Sequence, residues 1–150
     1  MSKIFIYYSA TGNGDAIASF LKTKGYAILK VDLIKPFGKP HFFKMFKYGR
    51  RSIAHVKEEL APYSMDLAPF DTVVIGSPVW GGHIASPMYT FLKANTFKDK
   101  TVQGIFYSMS GKAKKAPDEL KSFCPGATSI VIESPLENLD EMKRQVDKVA

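Results

Sequence analysis

Residues 7–20 read YYSATGNGDAIASF. An apolar run ends here, three polar side chains and two glycines crowd into six residues, and a helical spacing follows. Residues 3–8 upstream are rich in β-branched and aromatic side chains, as a buried strand requires. Downstream, Ala16, Ile17, Phe20, Leu21 and Lys24 recur at helical spacing, and Gly25 is placed to end the helix. A strand that turns into a helix leaves unpaired N–H groups and the positive end of a helix dipole at the turn. Ser9, Thr11 and Asn13 add side-chain donors there, and Gly12 and Gly14 are expected to let the backbone curl through positive φ. The pattern predicts a cup for a phosphomonoester that needs no lysine. A plain capped turn would need only one hydroxyl.

Strand and helix signals alternate outward from this turn. Strands are expected at 3–8, 26–33, 71–76, 102–107 and 129–132. Helices are expected after the first turn, over 42–60, from Ser86-Pro87 with Ser86 as cap, within 112–123, and around Leu139, Met142, Val146 and Val149. The stretch DTVVIG at 71–76 is a short continuous apolar run, typical of a strand buried on both faces. Five strands alternating with helices predict one doubly wound parallel sheet covered on both sides, a three-layer α/β/α domain spanning 1–150.

Bulk properties narrow the function. A chain of 150 residues with 45% hydrophobic content is one ordinary globular domain. No apolar run approaches the roughly 20 residues of a membrane span, and no signal peptide is visible. Cys124 is the only cysteine, which excludes an internal disulfide and points to the cytoplasm. His41, His55 and His83 show no metal-ligand spacing with Cys124 or with one another, so no structural metal is expected. The net charge of +7 is concentrated at 35–57, a stretch with seven Lys or Arg, no acid, and the aromatics Phe37, Phe42, Phe43, Phe46 and Tyr48. It reads as a solvated basic face over an apolar cluster or as a contact surface for an acidic partner protein; nucleic acid is not the expected partner.

In doubly wound sheets ligands sit beyond the carboxyl ends of the strands, so the second and third such loops matter as much as the first. The second, GSPVWGGHIASP, holds the only tryptophan, Trp80, between Pro78 and two glycines. Trp80 either packs against a flat ligand ring or closes the end of the core. The third, YSMSGKAKK, offers Ser108, Ser110 and Gly111, then Lys112, Lys114 and Lys115. Rival phosphate motifs fail: a Walker loop would need Gly-Lys-Ser/Thr where Gly14, Asp15 and Ala16 stand. A dinucleotide fingerprint lacks its third glycine at Ile17, although Asp32 stands where its acidic residue belongs.

YSATGNGDAIA and VVIGSPVWGG together resemble the flavodoxin-like family, with a match in element order over essentially the whole chain. The resemblance implies strand order 2-1-3-4-5, which is also the order for which flavodoxin is the standard example. It further implies that Ser9, Thr11, Gly12, Asn13 and Gly14 bind the phosphate of non-covalent FMN, with Gly14 replacing the family's usual threonine. Pro78, Val79, Trp80 and Gly81 would line the flavin ring, with Ser108 and Gly111 on its other side. Electron-carrier members of the family are usually acidic, whereas this third loop is basic. Positive charge beside the ring favours its anionic reduced form. The expected function is therefore an FMN-dependent oxidoreductase taking electrons from NAD(P)H or a reductase partner and passing them to a quinone-like or protein acceptor. A one-electron carrier and a non-redox binding module using 35–57 are the alternatives. No catalytic acid or base is expected, since the cofactor carries the chemistry.

Overall fold

The computed structural model describes residues 2–37 and 42–149, with side chains given except at 42–45. His41, Lys39 and the side chains of Phe42, Phe43 and Lys44, part of the basic aromatic segment, therefore lie outside the described residues. The elements run β1 Lys3–Tyr7, α1 Asn13–Thr23, β2 Ala27–Lys30, α2 Phe42–Ile53, β3 Thr72–Trp80, β4 His83–Ile84, α3 Ser86–Ala94, β5 Thr101–Ser108, α4 Ala116–Phe123, β6 Thr128–Glu133 and α5 Leu139–Val146. The long strands pair in parallel in the order β2-β1-β3-β5-β6, and β4 pairs antiparallel with β3. The five expected strands thus take the expected order, and the short β4 is an addition.

Side chains alternate across the sheet with the strand period of two. Ile4, Ile6, Val73, Ile75 and Phe106 face a core shared with Tyr48 of α2, Met88 and Phe91 of α3 and Leu120 of α4. Phe5, Tyr7, Val74, Ile105 and Tyr107 face the other, with Ile17 and Leu21 of α1 and Met142 and Val146 of α5. Two helices therefore cover one face and three the other. Among the described residues no helix is long and apolar enough to cross a membrane.

Three expectations need correction. β3 continues past Gly76 to Trp80 and folds back through Gly81-Gly82, whose φ of 60° and 84° give the double-positive turn that suits a two-residue hairpin. The second loop is thus largely strand. α2 ends at Ile53 rather than near 60, closed by N–H bonds from His55 to the Ser52 carbonyl and from Val56 to the Arg51 carbonyl. Leu60 instead forms a bridge with Leu33.

Ser86 begins α3 without capping it. Its hydroxyl donates instead to Glu58 Oε2 at 2.6 Å. The reason is the buried carboxylate, which must be satisfied by hydrogen bonds. Arg51 Nε donates to it at 3.0 Å and Arg51 Nη2 bonds its other oxygen. Burial pushes the Glu58 carboxyl up, but the bonds from Arg51 and Ser86 outweigh it and hold the group below its ordinary value.

Candidate functional site

The strand ends of β1, β3 and β5 lie side by side, so the loops that follow them meet at one edge of the domain. Ser9 leaves β1 half-buried, and its Oγ accepts the Gly12 N–H at 3.2 Å and the Gly14 N–H at 3.0 Å. This curls 9–14 into a cup at the amino end of α1, where the helix dipole is positive. Gly12 takes φ 93°, a left-handed value that glycine adopts freely. Asn13 Nδ2 reaches Thr11 Oγ1 at 3.4 Å, while Asn13 Oδ1 accepts the Leu136 N–H at 3.0 Å. Neither the Thr11 nor the Asn13 backbone N–H has a protein acceptor among the described residues. The loop can therefore offer backbone donors and the Ser9 and Thr11 hydroxyls to an anion.

Gly14 departs from the expected backbone role: it is buried in the first turn of α1 and does not take positive φ. Its lack of a side chain answers a close approach instead. A Cβ there would stand 2.5 Å from Tyr107 Oη, 2.7 Å from Tyr7 Cδ2 and 2.9 Å from Ser9 Cβ. Tyr107 is fully buried, its hydroxyl donates to the Tyr8 carbonyl, and burial raises its pKa well above the ordinary value. Tyr7 donates to Asp15 Oδ1 at 2.6 Å, and Lys30 Nζ lies 3.0 Å from the same oxygen. These tyrosines form a rigid floor beneath the cup.

Beyond the β3 and β5 ends lies an open groove of about 400 Å³ lined by Val79, Gly81, Gly82, Ser108, Met109, Ser110, Lys112 and Lys114. Ser108 Oγ donates to the Lys112 carbonyl at 3.0 Å, and the Lys112 N–H donates to Ser110 Oγ at 3.3 Å, closing the third loop on itself. Lys115 and Ala116 both donate backbone N–H to the Gly82 carbonyl, at 2.7 and 3.0 Å, tying that loop to the hairpin. No acid lines the groove. A smaller groove of about 280 Å³, lined by Tyr8, Ser9, Ala10, Asp32, Leu33, Pro36 and Phe37, flanks the other side of the cup. A larger one, about 550 Å³, opens at the opposite end of the sheet, where α3 and α4 finish. Helix carbonyl ends disfavour an anion, so size alone does not select it.

This glycine-rich cup at the end of the first strand, on a sheet ordered β2-β1-β3-β5-β6, agrees with the family comparison: a flavodoxin family model matches residues 2–148. The chain belongs to the flavodoxin family. Among solved structures it is similar to a flavoprotein of Bacteroides uniformis, at 22% identity and TM-score 0.74, over 98% of this chain and 97% of that one. It is also similar to a flavoprotein of Lactobacillus acidophilus solved in complex with FMN, at 21% identity and TM-score 0.71, over 93% and 97% of the two chains. A Bacteroides eggerthii flavoprotein aligns at 16% identity and TM-score 0.71, over 99% and 96%. At these identities the likeness shows the fold. No curated protein matches the sequence.

Within this flavodoxin-family chain the predicted site residues divide. Ser9, Thr11, Gly12, Asn13 and Gly14 come together in the cup, and Val79, Gly81 and Ser108 line the groove. Pro78 precedes Val79 in β3 but is absent from the groove lining. Gly111 turns towards Glu133, whose Cβ would stand 3.2 Å from a Cβ at 111. Trp80 is only 3% exposed; its ring stacks on Tyr48 at 5.0 Å and 28°, with Phe37 at 6.0 Å and Tyr8 edge-on at 5.8 Å. It closes the end of the core, and a ring in the groove would meet Val79, Gly81 and Met109 first.

Sequence reasoning missed Tyr107, Met109 and Leu136. Met109 is 80% exposed at the groove, and the Leu136 side chain would be 3.3 Å from a Cβ on Gly12. The exposed methionine within YSMSGK was the only local signal. Among the described residues, a group able to hold a metal ion is His55, His83 and Glu119, outside the cup and groove.

Proposed function

We propose that this protein binds FMN non-covalently and works as a small oxidoreductase, passing electrons from NAD(P)H or a reductase partner to a quinone-like or protein acceptor. The observation that carries this reading is the cup and the groove standing on neighbouring strand ends. β3 separates β1 from β5, so the two features lie roughly 10 Å apart across the sheet. That span suits a ligand with a phosphate at one end and a flat ring at the other. The relative solved with FMN supports choosing FMN among such ligands.

When bound, FMN supplies the electron and hydride chemistry. The Ser9 and Thr11 hydroxyls and the N–H groups of the cup hold its phosphate. Val79, Gly81 and Gly82 form one wall for the ring and the 108–114 loop the other. Lys112 and Lys114 on the groove wall would place positive charge beside a ring held there and so would favour an anionic form of it. Their charge also suits the phosphates of NAD(P)H and an acidic partner protein. A one-electron carrier is the second reading, favoured by the openness of the groove and by Met109 exposed beside it.

The test titrates flavin-stripped protein with FMN and, in parallel, riboflavin, following flavin fluorescence. Saturable binding of FMN with little or none of riboflavin is expected. If neither flavin binds, the reading fails and the basic surface at 35–57 becomes the functional feature. Where FMN binds, turnover of NAD(P)H with a quinone acceptor is the expected second result. Negligible turnover together with a stable one-electron-reduced flavin would assign the chain to the carriers.

A further inference from the structure

Three potential ligands from separate elements converge on the far side of the Gly81-Gly82 hairpin. His55 stands on the turn that ends α2, His83 on β4 and Glu119 in the first turn of α4. His55 Nε2 lies 2.8 Å and His83 Nδ1 3.1 Å from the same oxygen, Glu119 Oε2, and the ligand atoms all lie within 4.8 Å of one another. Tetrahedral zinc holds such atoms at about 2.0–2.2 Å, which sets neighbouring ligands roughly 3.3 Å apart. The 2.8 and 3.1 Å separations lie close to that spacing, and no pair is more than 4.8 Å apart. We propose that His55, His83 and Glu119 form a binding site for a divalent transition metal, best suited to Zn²⁺, with water completing the coordination.

The surroundings hold the ligands in place. The second oxygen of Glu119 accepts the Ile84 N–H at 2.8 Å, the kind of outer contact that fixes a ligating carboxylate. The His55 ring lies flat on Tyr89, with centroids 4.1 Å apart and planes within 9°. The Glu119 side chain is 12% exposed and that of His83 18%, so both are largely withdrawn from competing water.

The backbone adds a separate observation. His55 takes φ 52° at the helix-ending position where glycine is the usual residue. A histidine there accepts backbone strain, and such strain gathers where a side chain is needed in one place.

Charge selects the metal class. Lys112, Lys114 and Lys115 precede α4, and the whole chain carries +7, so a hard cation held by charge alone is disfavoured. Two imidazole nitrogens supply the bonding that zinc, nickel or copper prefers over calcium or magnesium. A bound ion would join the end of α2, the groove-walling hairpin and α4. The site shares no residue with the proposed flavin contacts, so it stands or falls independently of them.

The experiment uses the full chain, free of any histidine tag and treated with chelator. Zn²⁺ is titrated against a chromophoric chelator, and Co²⁺ is added as a spectroscopic probe. One equivalent of Zn²⁺ should bind, Tm should rise with metal by mass action, and Co²⁺ should give an intense visible band of low coordination number. His83→Gln and His55→Asn should each weaken Zn²⁺ at least tenfold; asparagine tolerates the left-handed backbone at 55. Glu119→Gln can keep the bond from Ile84 and should weaken the metal as well, a check if either histidine variant unfolds. No saturable binding, or an affinity unchanged in folded variants, would overturn the site and leave Glu119 as a hydrogen-bonded staple between two histidines.

Discussion

The cup and the groove sit on neighbouring strand ends but are held in opposite ways. Within the cup most bonds are local: Ser9 Oγ gathers Gly12 and Gly14, and Asn13 Nδ2 reaches Thr11. Asn13 Oδ1 reaches out to the distant Leu136 N–H, and the Tyr107 floor lies directly beneath. The groove borrows its shape. Its hairpin wall is held from behind by α2, whose Gly49 backs onto Gly81, and by backbone bonds from Lys115 and Ala116 to Gly82. α2 in turn is fastened to α3 by Arg51–Glu58–Ser86 and by the Ser86 N–H to Ser52 Oγ at 3.1 Å. A preformed cup suits tight anchoring of a ligand's end. A groove held by docked helices can be disturbed from a distance.

The largest effect is expected where the cup meets its floor. Gly14→Thr restores the residue usual in the resembled loop but drives a Cβ into Tyr107 and Tyr7, neither of which can yield cheaply. Overpacking of this kind costs about 1–3 kcal/mol or more, so thermal unfolding should show a clear fall in Tm and FMN titration a loss of tight binding. Binding that improves, with Tm unchanged, would show that the floor gives way and that the cup is not preformed.

Glu58→Gln should come next and should act on the groove. Breaking a buried ion pair costs about 3–5 kcal/mol, reduced here towards about 2 because the Arg51 side chain is 32% exposed and partly screened. The folded-state pKa of Glu58 is depressed, so its contribution is fully present above the ordinary value of 4.5 and is lost as pH falls below it through the folded value. Wild type and variant should therefore differ in denaturant midpoint at neutral pH and converge only in acid. A gap independent of pH would assign the loss to packing.

Ser9→Ala tests the cup's internal bonds. Two N–H groups lose their acceptor, at about 0.5–1.5 kcal/mol each, and FMN affinity should drop about tenfold while riboflavin behaves as before. An equal loss for both flavins would place Ser9 away from the phosphate.

The smallest effect belongs to the groove lysines. Lys112→Gln with Lys114→Gln should lower the two-electron potential of bound flavin by about 10–20 mV per charge, given exposed pairs worth up to about 1 kcal/mol. The shift should shrink as salt is raised. An unchanged potential would mean that the lysines point away from the ring.

Much of this architecture was open to reading in the primary structure. Alternating strand and helix signals gave five parallel strands, and the strand–glycine–helix pattern located the cup. Boundaries failed where tertiary demands took over a residue. Ser86 looked like a cap, but the buried Glu58 carboxylate claims its hydroxyl. Trp80 could be read from the sequence either as a ligand platform or as a core plug, and only the docking of Tyr48 of α2 on its face, with β3 extending through it, decides for the plug. Gly14 looked like a turn residue, whereas its smallness answers Tyr107, distant in sequence.

The sequence by itself determined the class of sheet and the curl of residues 9–14 around Ser9, because hydrogen bonds between residues three and five apart follow from local spacing. Only the tertiary structure decided what faces the groove and what lies beneath Gly14. It also decided that His55 and His83, 64 and 36 residues from Glu119, share one of its oxygens. Such contacts depend on how layers dock, and docking is set by the summed packing of the whole core, which no local pattern encodes.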